Sequence, residues 1–400
     1  MDRSVTPPPD AAARPHGRPI RLALLGSTGS IGRQTIDVIQ AMPERFEVRG
    51  LAAGRNLDAL AAQAEALRPA AIWAGGGPSE RLREIAASAG ATIATMDEMA
   101  ADPLLDVLVV GTAGRAGLEP TLAALEHGRA VALANKEVVV MAGHLVRAAA
   151  DRGGGQLRPV DSEHSAIWQC LWGEEGNAIR RILLTASGGA LRDLPREALG
   201  DVTPEQALRH PTWNMGAKIT IDSASLVNKG METIEARWLF DVAYEQVEVV
   251  QHAESIVHSL VEMGDGSVKA QLGNPDMRLP IQCALTYPER LQPTVAPLDL
   301  AALGALHFAA PDLDRYPGLR LSQEAGRRGG TYPCVLAAAD EVAVSAFLEG
   351  QIRFTAIPEV IEAALSAHEG DDDPDLETID AADVWARRFA AQHIRAQAPV

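Results

Sequence analysis

Ile20–Met42 reads IRLALLGSTGSIGRQTIDVIQAM. A short apolar run leads into a turn carrying Gly26, Gly29 and Gly32, and apolar residues at helical spacing follow. Strand, glycine turn and helix in that order begin a dinucleotide-binding unit. The glycines let a pyrophosphate approach the backbone, and the helix N-terminus offers it partial positive charge. The spacing is GxxGxxG rather than GxGxxG, so the flanking strand and helix carry the reading. Outward from this turn, FEVRGLAAG (46–54) predicts the next strand. No acid ends it to bond ribose hydroxyls. Arg55 stands there instead, in reach of a 2′-phosphate, so NADP is favoured over NAD; taken alone, a solvated loop arginine is an equal reading. DVLVVG (106–111) predicts a strand buried in a parallel sheet. A helix, LEPTLAALEHG, and a strand, Ala130–Ala134, come next, ending at Asn135, Lys136 and Glu137. Ligands of open α/β sheets sit outside the carboxyl ends of strands, which places Lys136 where cofactor and substrate meet. A structural salt bridge is the rival reading.

The 400 residues exceed one ordinary core and imply two or three domains. A hydrophobic content of 47% with 4% aromatic residues describes a soluble globular chain. The formal charge of −17 argues against nucleic acid or an anionic membrane as partner. A phosphorylated small molecule would then need a local cationic pocket, for which Lys136, His210 and Lys229 are candidates. Cys170, Cys283 and Cys334 show no CxxC spacing, which fits a reducing cytoplasm. No apolar run is long enough to span a bilayer. Residues 1–18 lack the pattern of a signal or transit peptide and are expected to be a disordered tail. Gly153–Gly155 is expected to be a linker or turn.

A second polar concentration lies further on. If 160–163 is extended, Asp161 and Glu163 share one side at period two. With Glu232 they make an all-oxygen set for Mg²⁺ or Mn²⁺, Co²⁺ being a further option. His164 reads equally as a helix-start residue or a ligand. ILLTAS predicts a strand ending in Ser187-Gly188-Gly189, whose hydroxyl and backbone N–H groups suit phosphate. HPTWNMG (210–216) follows a weakly periodic stretch and reads as a lid, or with Trp213 as a core residue. Beyond it, Lys218–Ile221 predicts a short strand, with Asp222, Ser223, Ser225, Asn228 and Lys229 at a strand-to-helix turn and a helix after Gly230. Hydroxyls, an amide and an ammonium bunched this way hold phosphate. SIVHSLVEM-GDG-SVKAQLG predicts a hairpin. VLAAADEVAVSAFLEG, IPEVIEAALSAHEG and AADVWARRFAAQHIRAQ predict helices, with 369–375 as an acidic loop between them.

The blocks GSTGSIG, LANKE, VDSEHSA, SGGALR, HPTWNMG, DSASLVNKGMETIEA and AQLGNPDMR, spread from Arg21 to about Gln392, identify the chain as resembling the 1-deoxy-D-xylulose 5-phosphate reductoisomerase family. That family uses NADPH in the non-mevalonate isoprenoid pathway. The resemblance implies an α/β fold in three parts: a Rossmann-like NADP-binding domain (19–155), an α+β catalytic and dimerisation domain with a flap (156–295), and, after a linker (296–315), a C-terminal helical bundle (316–400). It implies a homodimer acting on a sugar phosphate, with a divalent metal on Asp161, Glu163 and Glu232. The catalytic residues would be Lys136, Glu163, His210 and Glu232. Substrate would contact Lys136, Ser162 and Glu163, its phosphate held by Ser187, His210, Ser223, Asn228 and Lys229. NADPH would lie against Thr28, Gly29, Ser30, Ile31, Gly54, Arg55, Asn56, Asn135, Glu137 and Gly216. AAADEVAV (337–344) departs from the commoner NAANEVAV, which puts only a local cap or turn in doubt.

Overall fold

The structure, a computed structural model, describes residues 18–397. Of the expected tail, residues 1–17 lie outside the described residues; Arg18 is described and its guanidinium pairs with Asp106 at 2.6 Å. The chain divides into two compact units. One runs up to Val138, resumes over His144–Glu175 and returns with Asp276–Pro297; the other holds Val139–Gly143, Gly176–Pro275 and everything from Leu298.

The first unit is built on seven parallel strands: β1 (Ile20–Leu25), β2 (Phe46–Ala53), β3 (Ala71–Ala74), β4 (Thr92–Ile93), β5 (Val107–Val110), β6 (Ala130–Leu133) and β7 (Gln156–Pro159). Their order is β4-β3-β2-β1-β5-β6-β7, so the sheet reverses direction of winding at β1. β5 and β6 are buried at every position, as Val, Leu and Ala runs must be when helices cover both faces. Leu22, Leu24, Leu51, Val107 and Val109 form the core, each fully buried side chain contributing about 1.5–3 kcal/mol. Ile281, Ala284 and Leu285 join that core from the helix Arg278–Thr286.

The second unit carries a four-stranded mixed sheet: β8 (Ile179–Ala186), β9 (Val247–Gln251), β10 (Val257–Met263) and β11 (Val268–Leu272), in the order β11-β10-β8-β9. β10 and β11 form the expected hairpin, and β8 pairs parallel with β9. The helices Pro317–Arg328, Tyr332–Leu348, Ala356–Ala367 and Leu376–Gln397 make the expected helical part. The acidic loop between the last two is tied down by the Thr331 N–H donating to the Asp371 carbonyl at 3.0 Å. Among the described residues no helix is long and apolar enough to cross a membrane.

Three local expectations are corrected, and one that named two readings is met by one of them. Lys218–Ile221 is not a strand: it lies inside the helix Ala217–Ser225. The next helix starts at Val227 rather than after Gly230, because Leu226 at φ 57° breaks the first helix and turns the chain. Ser162 and Glu163 are helical rather than extended, Asp161 being the residue that caps Ser162–Cys170. Gly153–Gly155 is a turn and not a linker, since Gly154 at φ 70° ends one helix and the chain passes directly into β7 of the same sheet. The stretch from Gly153 to Arg278 therefore does not belong to one core. Which core a returning helix joins is set by packing, which periodicity does not report.

Candidate active site

At the carboxyl edge of the parallel sheet, the Gly26 and Ser27 N–H groups both donate to the Ala52 carbonyl at 2.8 Å, fastening the turn to β2. Gly26 has φ 82°, and a Cβ there would run into the Gly111 carbonyl. The helix Ser30–Ala41 starts from Gly29 with no side-chain cap, so its first N–H groups face outward as an anion site. Two side chains that sequence reasoning passed over brace this turn. Arg33 Nη1 donates to the Thr28 carbonyl at 2.8 Å, and Gln63 Nε2 to the Ser27 carbonyl at 3.0 Å. Gly54, Arg55 and Asn56 are exposed at the end of β2. Asn56 caps the helix Leu57–Leu67, its Oδ1 accepting from the Ala59 N–H at 3.0 Å. These features fit a dinucleotide with a phosphorylated ribose, and the fit lies in the backbone.

Two strands along, Asn135 ends β6. Its Nδ2 donates to Thr112 Oγ1 at 3.1 Å and to the Gly114 carbonyl at 2.8 Å, joining the crests of β5 and β6. The Asn135 Oδ1 is buried with no hydrogen-bond partner. Such an acceptor costs about 1–3 kcal/mol if nothing answers it. Lys136, 6% exposed, reaches across to β7 and places Nζ 2.5 Å from Asp161 Oδ2. The salt bridge, the rival reading of Lys136, is thus present, at the carboxyl end of β6. Ser162 Oγ donates to Glu163 Oε2 at 2.5 Å. His164 is fully buried inside the helix. Thr28–Ile31, Gly54–Asn56, Asn135, Lys136, Glu137, Asp161, Ser162 and Glu163 are therefore gathered along one edge of one sheet.

The second unit gathers the remaining candidates: Ser187, His210, Gly216, Ser223, Asn228, Lys229 and Glu232. Ser187 follows β8, and its Oγ lies 2.9 Å from His210 Nε2 and 3.4 Å from Ser223 Oγ. Gly189, at φ 69°, lets this turn approach the helix Ala217–Ser225; a Cβ there would stand 2.5 Å from the Ala224 Cα. The tautomer of His210 follows from its partners. Nδ1 accepts from the N–H groups of Thr212 (3.2 Å) and Trp213 (2.9 Å), so the neutral ring carries its proton on Nε2 and donates to Ser187. Burial, reinforced by the Arg192 guanidinium, lowers the imidazole to about 4 and keeps it neutral. Arg192 was not singled out from sequence, although it closes the SGGALR block; its Nη1 holds the carbonyls of Ser187 (3.1 Å) and Ala253 (3.0 Å). Trp213 is half-buried, 5.9 Å from the His258 ring, in a segment without regular structure.

One turn into the helix Val227–Phe240, Glu232 is fully buried and held on both oxygens, by Asn228 Nδ2 at 2.6 Å and Lys229 Nζ at 2.5 Å. Each unit thus presents a carboxylate already facing an ammonium, and every acidic donor is an oxygen. That set suits a hard divalent cation and offers a soft metal nothing. Hydroxyls, an imidazole N–H, an amide and an ammonium in the second unit are groups able to donate to a phosphate.

Three family descriptions match in succession: "1-deoxy-D-xylulose 5-phosphate reductoisomerase" over 22–143, its "C-terminal domain" over 157–240, and "DXP reductoisomerase C-terminal domain" over 272–389. A protein of that name from Heliobacterium modesticaldum is 53% identical over 381 residues, covering 94% of this chain and 97% of its own. One from Gloeobacter violaceus is 51% identical, covering 94% and 96%. A crystal structure of DOX-P reductoisomerase with NADPH, fosmidomycin and magnesium superposes with a TM-score of 0.90 at 40% identity, covering 95% of this chain and all of that one. The Zymomonas mobilis enzyme in complex with NADPH gives 0.88, also at 40% identity, covering 94% of this chain and all of its own.

Proposed function

The chain belongs to the 1-deoxy-D-xylulose 5-phosphate reductoisomerase family, and on that premise we propose which of its residues carry the reaction. The activity is the NADPH-dependent rearrangement and reduction of 1-deoxy-D-xylulose 5-phosphate to 2-C-methyl-D-erythritol 4-phosphate, a divalent-metal-dependent step of the non-mevalonate isoprenoid pathway. The proposal assigns the metal to Asp161, Glu163 and Glu232, with magnesium or manganese favoured by the oxygen-only donors. When bound, the metal supplies Lewis-acid polarisation of the sugar carbonyl and NADPH supplies the hydride.

The chain's own groups do the rest. Lys136 brings positive charge to the carboxyl edge of the sheet, where oxygen charge develops during the reaction. Ser162, donating to Glu163, fixes the orientation of that carboxylate. His210 offers Nε2–H, Ser187 and Ser223 their hydroxyls, Asn228 its amide and Lys229 its ammonium to the substrate phosphate. That contact is remote from the reacting carbons and provides positioning energy. Thr28–Ile31 receive the pyrophosphate and Arg55 the 2′-phosphate. Asn56, Asn135, Glu137 and Gly216 complete the cofactor contacts, and His210–Gly216 act as the flap. The functional division retained is 19–155 for cofactor, 156–295 for catalysis and self-association, 296–315 as linker and 316–400 as helical part.

A homodimer and a cytoplasmic setting complete the proposal. The outer strand β11, with Val268 51% exposed, is an unpaired edge that a second copy would cover. Three cysteines, all free, suit a reducing compartment.

The single observation that carries the site assignment is the contact of Lys136 with Asp161 at the edge of a dinucleotide-binding sheet. Oxidation of NADPH with the sugar phosphate tests it. EDTA should stop turnover and excess Mg²⁺ restore it; turnover indifferent to EDTA would remove the metal from the carboxylates.

A further inference from the structure

Three charged side chains of the second unit meet outside the phosphate donors just assigned. Lys218 Nζ lies 2.7 Å from Asp222 Oδ2 and 2.9 Å from Asp340 Oδ2. Both acid side chains are buried, at 2% and 0% exposure, while Lys218 retains 28%. Asp222 is one turn further along the same helix, Ala217–Ser225. Asp340 sits in the middle of Tyr332–Leu348, between buried Ala337–Ala339 and Ala343–Val344, and is therefore no cap. A carboxylate in such surroundings is costly unless charge-paired, so taking the ammonium away from the two acids would be destabilising, and the contact fixes how the two helices meet.

The placement of this clamp gives it a consequence for the reaction. Lys218 is the second residue of its helix, whose cap, Gly216, ends the flap that begins at His210. Asp222 directly precedes Ser223, whose Oγ must stay beside Ser187 Oγ. We infer that Lys218, held by Asp340, is a positioning residue for the substrate phosphate. It anchors the start of the helix so that the flap and the Ser223 hydroxyl keep their places, without itself touching substrate. This rests on the assignment of Ser187, His210 and Ser223 to phosphate.

Steady-state kinetics on the full chain with Mg²⁺ test it, using Lys218→Met, Lys218→Arg, Asp340→Asn, the Lys218→Met/Asp340→Asn double variant and Ser223→Ala. Lys218→Met should raise the KM for the sugar phosphate about tenfold, the scale of one charge-assisted hydrogen bond, and raise the KM for NADPH much less, since Gly216 alone of the assigned cofactor contacts adjoins this helix. Lys218→Arg should restore most of the loss. In the double variant the increase should be smaller than in Lys218→Met, because one buried acid fewer is left uncompensated. A fall in melting temperature with both KM values unchanged would make Lys218 merely structural and overturn the inference. If Lys218→Met does not fold, Asp340→Asn decides alone: a sugar-phosphate KM raised well beyond that for NADPH supports the inference, and no such difference overturns it. Ser223→Ala separates the two claims. If it leaves the sugar-phosphate KM unchanged, the phosphate reading falls and this inference with it. If it raises that KM while Lys218→Met does not, this inference alone falls.

Discussion

Arg55 and His210 show how much of this site depends on the charge state of single residues. Arg55 is exposed at the end of β2, where no acid stands to receive ribose hydroxyls. NADPH should therefore be preferred over NADH, and Arg55→Ala should narrow the gap. A charge-assisted hydrogen bond of about 1.5–3 kcal/mol corresponds to about one to two orders of magnitude in relative efficiency. Equal use of the two cofactors by the unaltered protein would refute the assignment. His210 makes the complementary point. Its Nδ1 is engaged by two backbone N–H groups, so protonating the ring would set a third donor against them. The lowered pKa thus accompanies a fixed tautomer, and Nε2–H stays aimed at Ser187 Oγ through the neutral pH range.

At the scale of elements, the strand–turn–helix at Ile20–Ala41, the strands β2, β5, β6 and β8, the β10–β11 hairpin and the terminal helices were all legible, because periodicity and glycine placement reported them directly. The stretch KITI was misread, since β-branched residues favour strands by propensity. Its helix is enforced by packing, with Ile221 fully buried and the helix lying against Tyr332–Leu348. The pairing of Asp161 with Glu163 rests on an extended geometry that the structure replaces with a helix start. Asp at a cap with Glu in the first turn is a helix-start signal, and VDSEHSA contained it. The Lys218–Asp340 contact was invisible, since no local pattern joins residues that far apart. The flap is the element with a consequence still to measure. His210–Gly216 has no regular structure and Trp213 is only half-buried. A bound substrate analogue should protect residues 200–216 from proteolysis. Cleavage there at an unchanged rate under saturating analogue would make Trp213 a core residue and end the lid reading.

On the proposed assignment, the whole molecule divides its labour between a unit that offers cofactor contacts and carboxylates on a parallel sheet and a unit that offers phosphate donors and Glu232 on turns and helices. The central claim is that one carboxylate set serves both stages of the reaction. Glu232→Gln preserves shape and the bond from Asn228 but removes a negative charge, so metal affinity should fall. The direct measurement supplies this variant with the branched aldehyde that the rearrangement yields and the reduction consumes, and follows NADPH absorbance, alongside the complete reaction from the sugar phosphate and a titration of metal binding. The account predicts that Glu232→Gln fails at both stages, with weakened metal binding, whereas Arg55→Ala regains most of its turnover as NADPH is raised. Reduction of the aldehyde at the unaltered rate, with metal still bound, would contradict it: Glu232 would then not be a ligand, and the helix Val227–Phe240 would be scaffold.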